Sequence, residues 1–219
     1  MKSVLDFLSD LGRNNQKEWF DANRSRYEDS KTKVLFFTEI MIQAIRKFDP
    51  EVPPLSPNDC LFRIYRDIRF SPDKTPYKTH MGSFIAAGGR KSSRAGYYIH
   101  IEPGNSFLGG GIWCPPADQL KAVRWEIHDH PGDFQEILDD PEFNRYFKSI
   151  EGEKLKTEPK GFDKDFEAID LLRYKSYAFG VPVTDQQVVG EGFIDFATSA
   201  FTQLHKANRF LNSALDKWA

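Results

Sequence analysis

The residues best suited to chemistry are the cationic side chains between residues 61 and 85, in the stretch LFRIYRDIRFSPDKTPYKTHMGSFI. This stretch holds five lysines or arginines and one histidine up to His80, against only two acids. At the period of a β-strand, apolar residues fall on one face, while Arg63, Tyr65 and Arg69 fall on the other. Guanidinium groups match the oxygens of carboxylates and phosphates two at a time. The pattern therefore predicts a binding site for an anion.

The residues after this predicted strand are expected to extend the site. Two prolines stiffen the SPDKTP turn and limit the entropy that the loop loses on binding. His80 and His100 are weak candidates for a general acid or base, because the imidazole pKa is easily tuned. Other aromatic and basic side chains are expected to line the site. The predicted ligand-binding residues are Arg63, Tyr65, Arg69, Lys74, Tyr77, Lys78, His80, Tyr98, His100, Trp113, Arg173 and Lys175.

A structural interpretation of the same residues stays open. The lysines can be solvated, and the arginines can belong to an internal ion-pair network. Arg66 falls on the apolar face of the predicted strand, where a guanidinium needs a carboxylate partner such as Asp170 or Glu167.

Other reactive groups lack a supporting pattern. The run from His128 to Asp133 offers nitrogen and oxygen ligands, but no second cluster of matching spacing accompanies it. Cys114 precedes a predicted helix start without a recognisable histidine partner. Phosphate-loop, nucleophile-elbow and dinucleotide glycine patterns are absent from the sequence. The sequence predicts no metal site and no cofactor, and it leaves open whether the protein is an enzyme.

Composition and charge set the outer bounds of the interpretation. The 219 residues carry a formal net charge of −2, which hides a basic segment and an acidic one. Residues 61–94 hold eight basic and two acidic side chains, and residues 118–170 hold eight basic and fifteen acidic ones. No apolar run is long enough for a membrane span, and no secretory signal is recognisable. We expect a cytoplasmic protein with two reduced thiols and one domain over residues 1–219.

The hydrophobic periodicity predicts an α+β fold: a single mainly antiparallel sheet covered by N-terminal and C-terminal helices. The last helix is the clearest element, with Phe193, Phe196, Phe201 and Leu204 expected in the core. The Glu102-Pro-Gly-Asn105 turn should join two strands as a hairpin. Strands are predicted at Leu61–Phe70, Gly82–Ala87, Gly96–Glu102, Ser106–Trp113 and Leu172–Phe179, and helices at Ser3–Leu11, from Asn14 or Asn15 to Phe48, from Pro115 to Ile127, at Pro141–Ser149 and at Phe193–Leu215.

The block from Arg63 to His80, RIYRDIRFSPDKTPYKTH, resembles the hallmark of the family called domain of unknown function 2461. Three further segments match in the same order: NNQKEWFDANRSRYE, GYYIHIEPGNSFLGGGIW and LKTEPKGFDKDFEAIDLLRYKSY. The resemblance spans nearly the whole chain and implies that these segments belong to one domain. It supplies no catalytic residues.

Three functions are compatible with the sequence. The basic cluster suits a phosphorylated or carboxylated small molecule, with no membrane partner. The same surface with its tyrosines suits a nucleic acid, although a pI of about 6.2 counts against this class. The third alternative is a protein-interaction module whose cations dock an acidic partner.

Overall fold

The computed structural model describes residues 1–218 as ten helices and four strands. The helices are α1 (Lys2–Arg13), α2 (Lys17–Ala22), α3 (Arg24–Ile45), α4 (Pro57–Cys60), α5 (Ala117–Asp129), α6 (Pro131–Asp139), α7 (Pro141–Asn144), α8 (Ile169–Leu172), α9 (Asp185–Val189) and α10 (Phe193–Trp218). The strands are β1 (Met81–Ile85), β2 (Gly96–Ile101), β3 (Ser106–Ile112) and β4 (Tyr177–Val183).

The four strands form one antiparallel sheet in the order β1-β2-β3-β4. The predicted α+β class is therefore confirmed. The hairpin between β2 and β3 closes through Gly104, whose φ of +72° is the left-handed torsion that glycine adopts at little cost. The backbone N–H of Asn105 donates to the carbonyl of Glu102 across this turn at 3.0 Å.

The chain divides into two compact units. The first unit comprises residues 1–91, 98–108 and 182–198, and the second comprises residues 92–97, 109–181 and 199–219. The prediction of one domain stays a prediction. No helix within residues 1–218 combines the length and apolar character that crossing a lipid bilayer requires.

In the first unit, α1 and α3 pack together and α3 contacts β1. The apolar side of α1, which includes the buried Phe7 and Leu11, supplies part of the core. The hydroxyls of Thr38 and Ser83 join α3 to β1 with a buried 2.8 Å hydrogen bond, so neither polar group is left unsatisfied.

In the second unit, the part of α10 from residue 199 onward packs on Tyr97 of β2 and Gly110 of β3. Phe201 is fully buried and meets the ring of Tyr97 edge-to-face with centroids 5.3 Å apart. A Cβ on Gly110 would lie 2.0 Å from the Gly96 carbonyl oxygen, so the strands approach closely only with glycine here. Phe201 and Leu204 are buried as predicted. In the part of α10 that belongs to the first unit, Phe193 is buried as predicted, whereas Phe196 is only half-buried.

The predicted strand at Leu61–Phe70 is wrong. The segment makes only the isolated antiparallel bridges Leu61–Ser83 and Tyr65–Tyr77. Pro76, whose carbonyl accepts from the N–H of Arg66, has no N–H of its own to continue a ladder. Phe70, which was expected on the buried face, is 94% exposed.

Other element boundaries also differ from the sequence-based predictions. The fourth strand is Tyr177–Val183 rather than Leu172–Phe179, because Ile169–Leu172 forms a short helix first. The N-terminal helical region is divided at Asn23. The Pro131-Gly132 pair ends α5 as expected but also begins α6, since proline fits the first turn of a helix.

Candidate functional site

A groove of about 490 Å³ in the first unit is the main candidate for a binding site. Its lining brings together five basic side chains, and none of the lining residues is acidic. Tyrosines and apolar side chains complete the walls. The lining residues are Tyr27, Lys31, Asn58, Leu61, Phe62, Arg63, Tyr65, Lys78, Arg90 and Lys91.

Arg63 and Lys78 lie in the groove without an ion-pair partner, and the one carboxylate whose pKa the charge of Arg63 lowers, that of Asp67, is hydrogen-bonded to Arg69. No carboxylate within residues 1–218 forms an ion pair with either side chain. Burial, and next the charge of Arg63, lowers the pKa of Lys78 below its ordinary value. The Lys78 ammonium lies 5.7 Å from the centroid of the Phe62 ring, which offers a cation–π contact but no negative charge. Neither contact neutralises the positive charge of Lys78.

Backbone hydrogen bonds fix the two sides of the groove. The N–H of Phe62 donates to Gly82 at 2.9 Å, and the N–H of Lys78 donates to Ile64 at 2.8 Å. The side-chain amide of Asn15 makes two hydrogen bonds to the backbone of Tyr77. Its Nδ2 donates to the Tyr77 carbonyl at 2.9 Å, and its Oδ1 accepts from the Tyr77 N–H at 3.1 Å. The extended segment is therefore held rigidly even though it is not a regular strand.

The cations from the 3₁₀ turn at Gly89–Lys91 are positioned by the end of α4. Arg90 donates to the backbone carbonyl of Asn58 at 2.6 Å. Gly89 has a φ of +63°, and a Cβ there would lie 2.6 Å from the Asp59 carbonyl oxygen. Only glycine allows this turn to approach α4 so closely.

A second cluster, which we call the histidine cluster, consists of His80, His100 and Glu102. One ligand atom from each residue lies within 4.8 Å of the others. The imidazole centroids are 4.3 Å apart, and His100 Nε2 lies 3.2 Å from Glu102 Oε2. His100 and Glu102 alternate along the end of β2, so they share a face, and His80 directly precedes β1.

The environment lowers the pKa of both imidazoles. Burial, and next the neighbouring His100, lowers the pKa of His80 to about 4. Burial also lowers the pKa of His100, against the opposing effect of Glu102. Burial alone would raise the pKa of Glu102, but hydrogen bonds from Asn105, Thr79 and His100 hold it below its ordinary value.

The structure brings some of the predicted site residues together and separates others. Arg63, Tyr65 and Lys78 line the groove, whereas His80, Tyr98 and His100 belong to the neighbourhood of the histidine cluster. The two groups adjoin, because the ring of Phe62 in the groove wall lies 6.2 Å from the ring of Tyr98.

Arg69 does not line the groove. It donates from Nε and Nη2 to the carboxylate of Asp67 at 2.9 and 2.7 Å, forming a two-pronged pair on the surface. Arg63 and Arg69 were predicted to share one face of a regular strand. The segment forms only isolated bridges, the last of them at Tyr65, so no strand extends to Arg69.

Three other residues of the cationic segment have local partners. Lys74 is exposed and donates to the carbonyl of Ile68 at 3.0 Å. Tyr77 is buried with its ring stacked on Phe20 at 4.0 Å, so it is not a free stacking surface. Arg66 pairs with Asp73 and with the hydroxyl of Thr75. Its predicted need for a carboxylate is met inside its own turn rather than by Asp170 or Glu167.

The remaining predicted residues belong to the second unit. Trp113 is 66% exposed just after β3. Arg173 pairs with Asp170 at 2.8 Å, and Lys175 pairs with Glu153 at 2.7 Å. None of these three side chains is part of the groove lining.

The sequence-based site omitted seven of the ten residues that line the groove, together with Glu102. Lys31 and Tyr27 come from α3, four residues apart and hence on one helix face. The basic GGRKSSRAG loop was the sequence signal for Arg90 and Lys91. The alternation YYIHIE, which places Glu102 beside His100, was the signal for the carboxylate.

The comparisons with known proteins give one match. The family model described as "Conserved hypothetical protein (DUF2461)" matches residues 3–210. No curated protein and no solved structure has significant similarity to the chain. The match covers nearly the full length, including the groove and the histidine cluster, and agrees with the resemblance of its four segments. The chain belongs to the DUF2461 family.

Proposed function

We propose that this protein binds a small anionic molecule, carrying phosphate or carboxylate groups, in the groove that contains Arg63 and Lys78. The observation that carries the proposal is a recess lined by five cations and no acid. Its volume of about 490 Å³ falls within the range that small-molecule sites occupy.

The electrostatics support a binding role over a structural one. Structural arginines in this chain, such as Arg66 and Arg173, are paired with carboxylates. Lys78 instead loses hydration by partial burial and is repelled by Arg63. Charges that destabilise the free protein are typical of functional sites, where a ligand supplies the missing counter-charge.

Isothermal titration with inorganic pyrophosphate and with citrate, in resin-treated metal-free buffer, tests this proposal. We expect the wild-type protein to bind at least one of the two anions, and the pair distinguishes phosphate from carboxylate recognition. The double variant R63Q/K78Q should bind at least about 100-fold more weakly, since hydrogen bonds to charged groups contribute about 1.5–3 kcal/mol each. R145Q is the matched control and should change the affinity less than about 2-fold, because Arg145 is exposed and pairs with Glu142 outside the groove.

The thermal stability of the same variants separates binding from structure. R63Q/K78Q should melt at or above the wild-type temperature, because the double change removes the partly buried charge of Lys78 and its repulsion by Arg63. A lowered melting temperature would indicate a structural role, and unchanged anion affinity in the double variant would overturn the proposal.

A further inference from the structure

We propose that His80, His100 and Glu102 bind a divalent first-row transition-metal ion, for which Zn²⁺ is the appropriate probe. The proposal departs from the sequence-based expectation of no metal site. It rests on the histidine cluster and not on the anion-binding groove.

The donor set suits such an ion. Two imidazole nitrogens and one carboxylate on one face leave further coordination positions open, as in metal sites that hold water or a substrate. At metal–ligand bonds of about 2.0–2.2 Å, adjacent ligand atoms are separated by about 3–3.4 Å. His100 Nε2 and Glu102 Oε2 already lie 3.2 Å apart. All three ligand atoms lie within 4.8 Å of one another. Side-chain movements of about 1–2 Å would therefore bring them to the spacing that a metal ion requires.

Neighbouring side chains hold each ligand in place. The hydroxyl of Tyr98 lies 3.0 Å from His100 Nδ1, which orients the ring so that Nε2 faces Glu102. The ring of Phe107 stacks on His100 at 4.7 Å. Gly82 makes room for this arrangement, since a Cβ there would lie 2.6 Å from the Tyr98 hydroxyl oxygen.

The carboxylate is held on both oxygens. The hydroxyl of Thr79 donates to Oε1 at 2.9 Å, and the side-chain amide of Asn105 donates to Oε2 at 2.8 Å. Partners of this kind, which orient the ligands of a metal, typically change metal affinity about 10–100-fold when they are removed.

Zinc titration of the full chain, purified without a histidine tag and stripped of metal, tests the proposal. Competition with a chromophoric chelator should give one equivalent of Zn²⁺ per chain at pH 7.5. H80N and E102Q should each weaken binding by more than about 100-fold, because each removes a ligand. H130N is the matched control: it removes an exposed imidazole from the start of α6 and should leave the affinity unchanged.

Two further measurements identify the ligands. Co²⁺ should produce visible d–d absorption in the wild type and H130N but not in E102Q. Zn²⁺ should raise the melting temperature of the wild type by mass action and leave that of E102Q unchanged. If the wild type binds no zinc, or if H80N and E102Q both retain the full equivalent, the cluster is a structural hydrogen-bond network and the proposal is overturned.

Discussion

Arg63 and Arg69 carry the same guanidinium group, yet their surroundings give them different chemistry. Arg69 folds onto Asp67 two residues away and forms an exposed pair, which contributes little to stability. Arg63 forms no ion pair within residues 1–218 and repels Lys78. Its charge acts on Asp67 only after the hydrogen bonds from Arg69, which are the main cause of the lowered Asp67 pKa. At the scale of single residues, a local ion pair therefore engages the guanidinium of Arg69, whereas that of Arg63 has no ion-pair partner within residues 1–218.

The two free cysteines also differ in their surroundings, because Cys60 is buried and Cys114 is exposed. The reactivity of their thiols tests this difference in burial. Cys60 is fully buried, and burial, with the charge of Asp59 next, raises its pKa to about 11. Cys114 is exposed. At pH 8 only about one in a thousand Cys60 side chains is a thiolate. We expect Ellman's reagent to modify one thiol rapidly in the native protein, and both after unfolding.

The matched variants assign the reactive thiol. C114S should abolish the rapid phase, and C60S should retain it. Because the folded state holds the Cys60 proton more tightly than the unfolded state, this residue's contribution to stability is lost as the pH rises from about 9 towards 11. Rapid modification of Cys60 in native C114S at pH 8 would contradict the buried position.

At the scale of elements, α10 is the helix whose contribution to the second unit is most directly testable. Phe201 is fully buried between this helix and Tyr97, and its removal leaves a cavity as well as lost transfer energy. F201A should lower the free energy of unfolding by about 3–5 kcal/mol. Urea titration followed by tryptophan fluorescence measures the change.

The control for this prediction is F36A on α3, where the side chain is 69% exposed. This change should stay within about 0.5 kcal/mol, as is usual for surface substitutions. If F201A costs less than about 1 kcal/mol, α10 does not cover the core in the way the structure indicates.

Elements with strong periodicity were predictable, and those governed by irregular pairing were not. The apolar stripe of α10 and the Pro-Gly turn before Asn105 carry their own local signals, and both are present. The segment at Leu61–Phe70 has strand-like alternation, but its partner region contains Pro72 and Pro76 and cannot form a continuous ladder. Periodicity describes one segment, whereas a strand requires a second segment with free N–H groups.

The candidate site shows the same limit. The YYIHIE alternation correctly places Tyr98, His100 and Glu102 on one face of β2. The approach of His80 to His100, and of Lys31 and Arg90 to Arg63, depends on how separate elements pack. One sequence without packing information does not specify those distances.

At the scale of the whole molecule, the charge is concentrated rather than spread. The net charge is −2, and the acidic segment over residues 118–170 carries fifteen acids against eight bases. Proteins that track a nucleic-acid backbone usually present an extended basic surface on a basic domain. In this protein, five basic side chains instead line one groove. This distribution favours a compact anion over a polymer.

Competition between small and polymeric anions tests that conclusion. We expect pyrophosphate or citrate to bind in 150 mM NaCl with at least about 100-fold higher affinity than a 20-base-pair DNA or an oligo-aspartate peptide. Each small anion concentrates its charges in one group of the size of the groove, whereas a polymer distributes its charges along its backbone and loses affinity at this salt concentration. Fluorescence anisotropy with labelled DNA and peptide, repeated from 50 to 300 mM NaCl, gives the affinities and their salt dependence. R63Q/K78Q identifies binding that uses the groove. Tighter binding of the DNA, with a steep salt dependence that this double variant removes, would establish a nucleic-acid surface; the same result with the peptide would establish docking of an acidic protein partner.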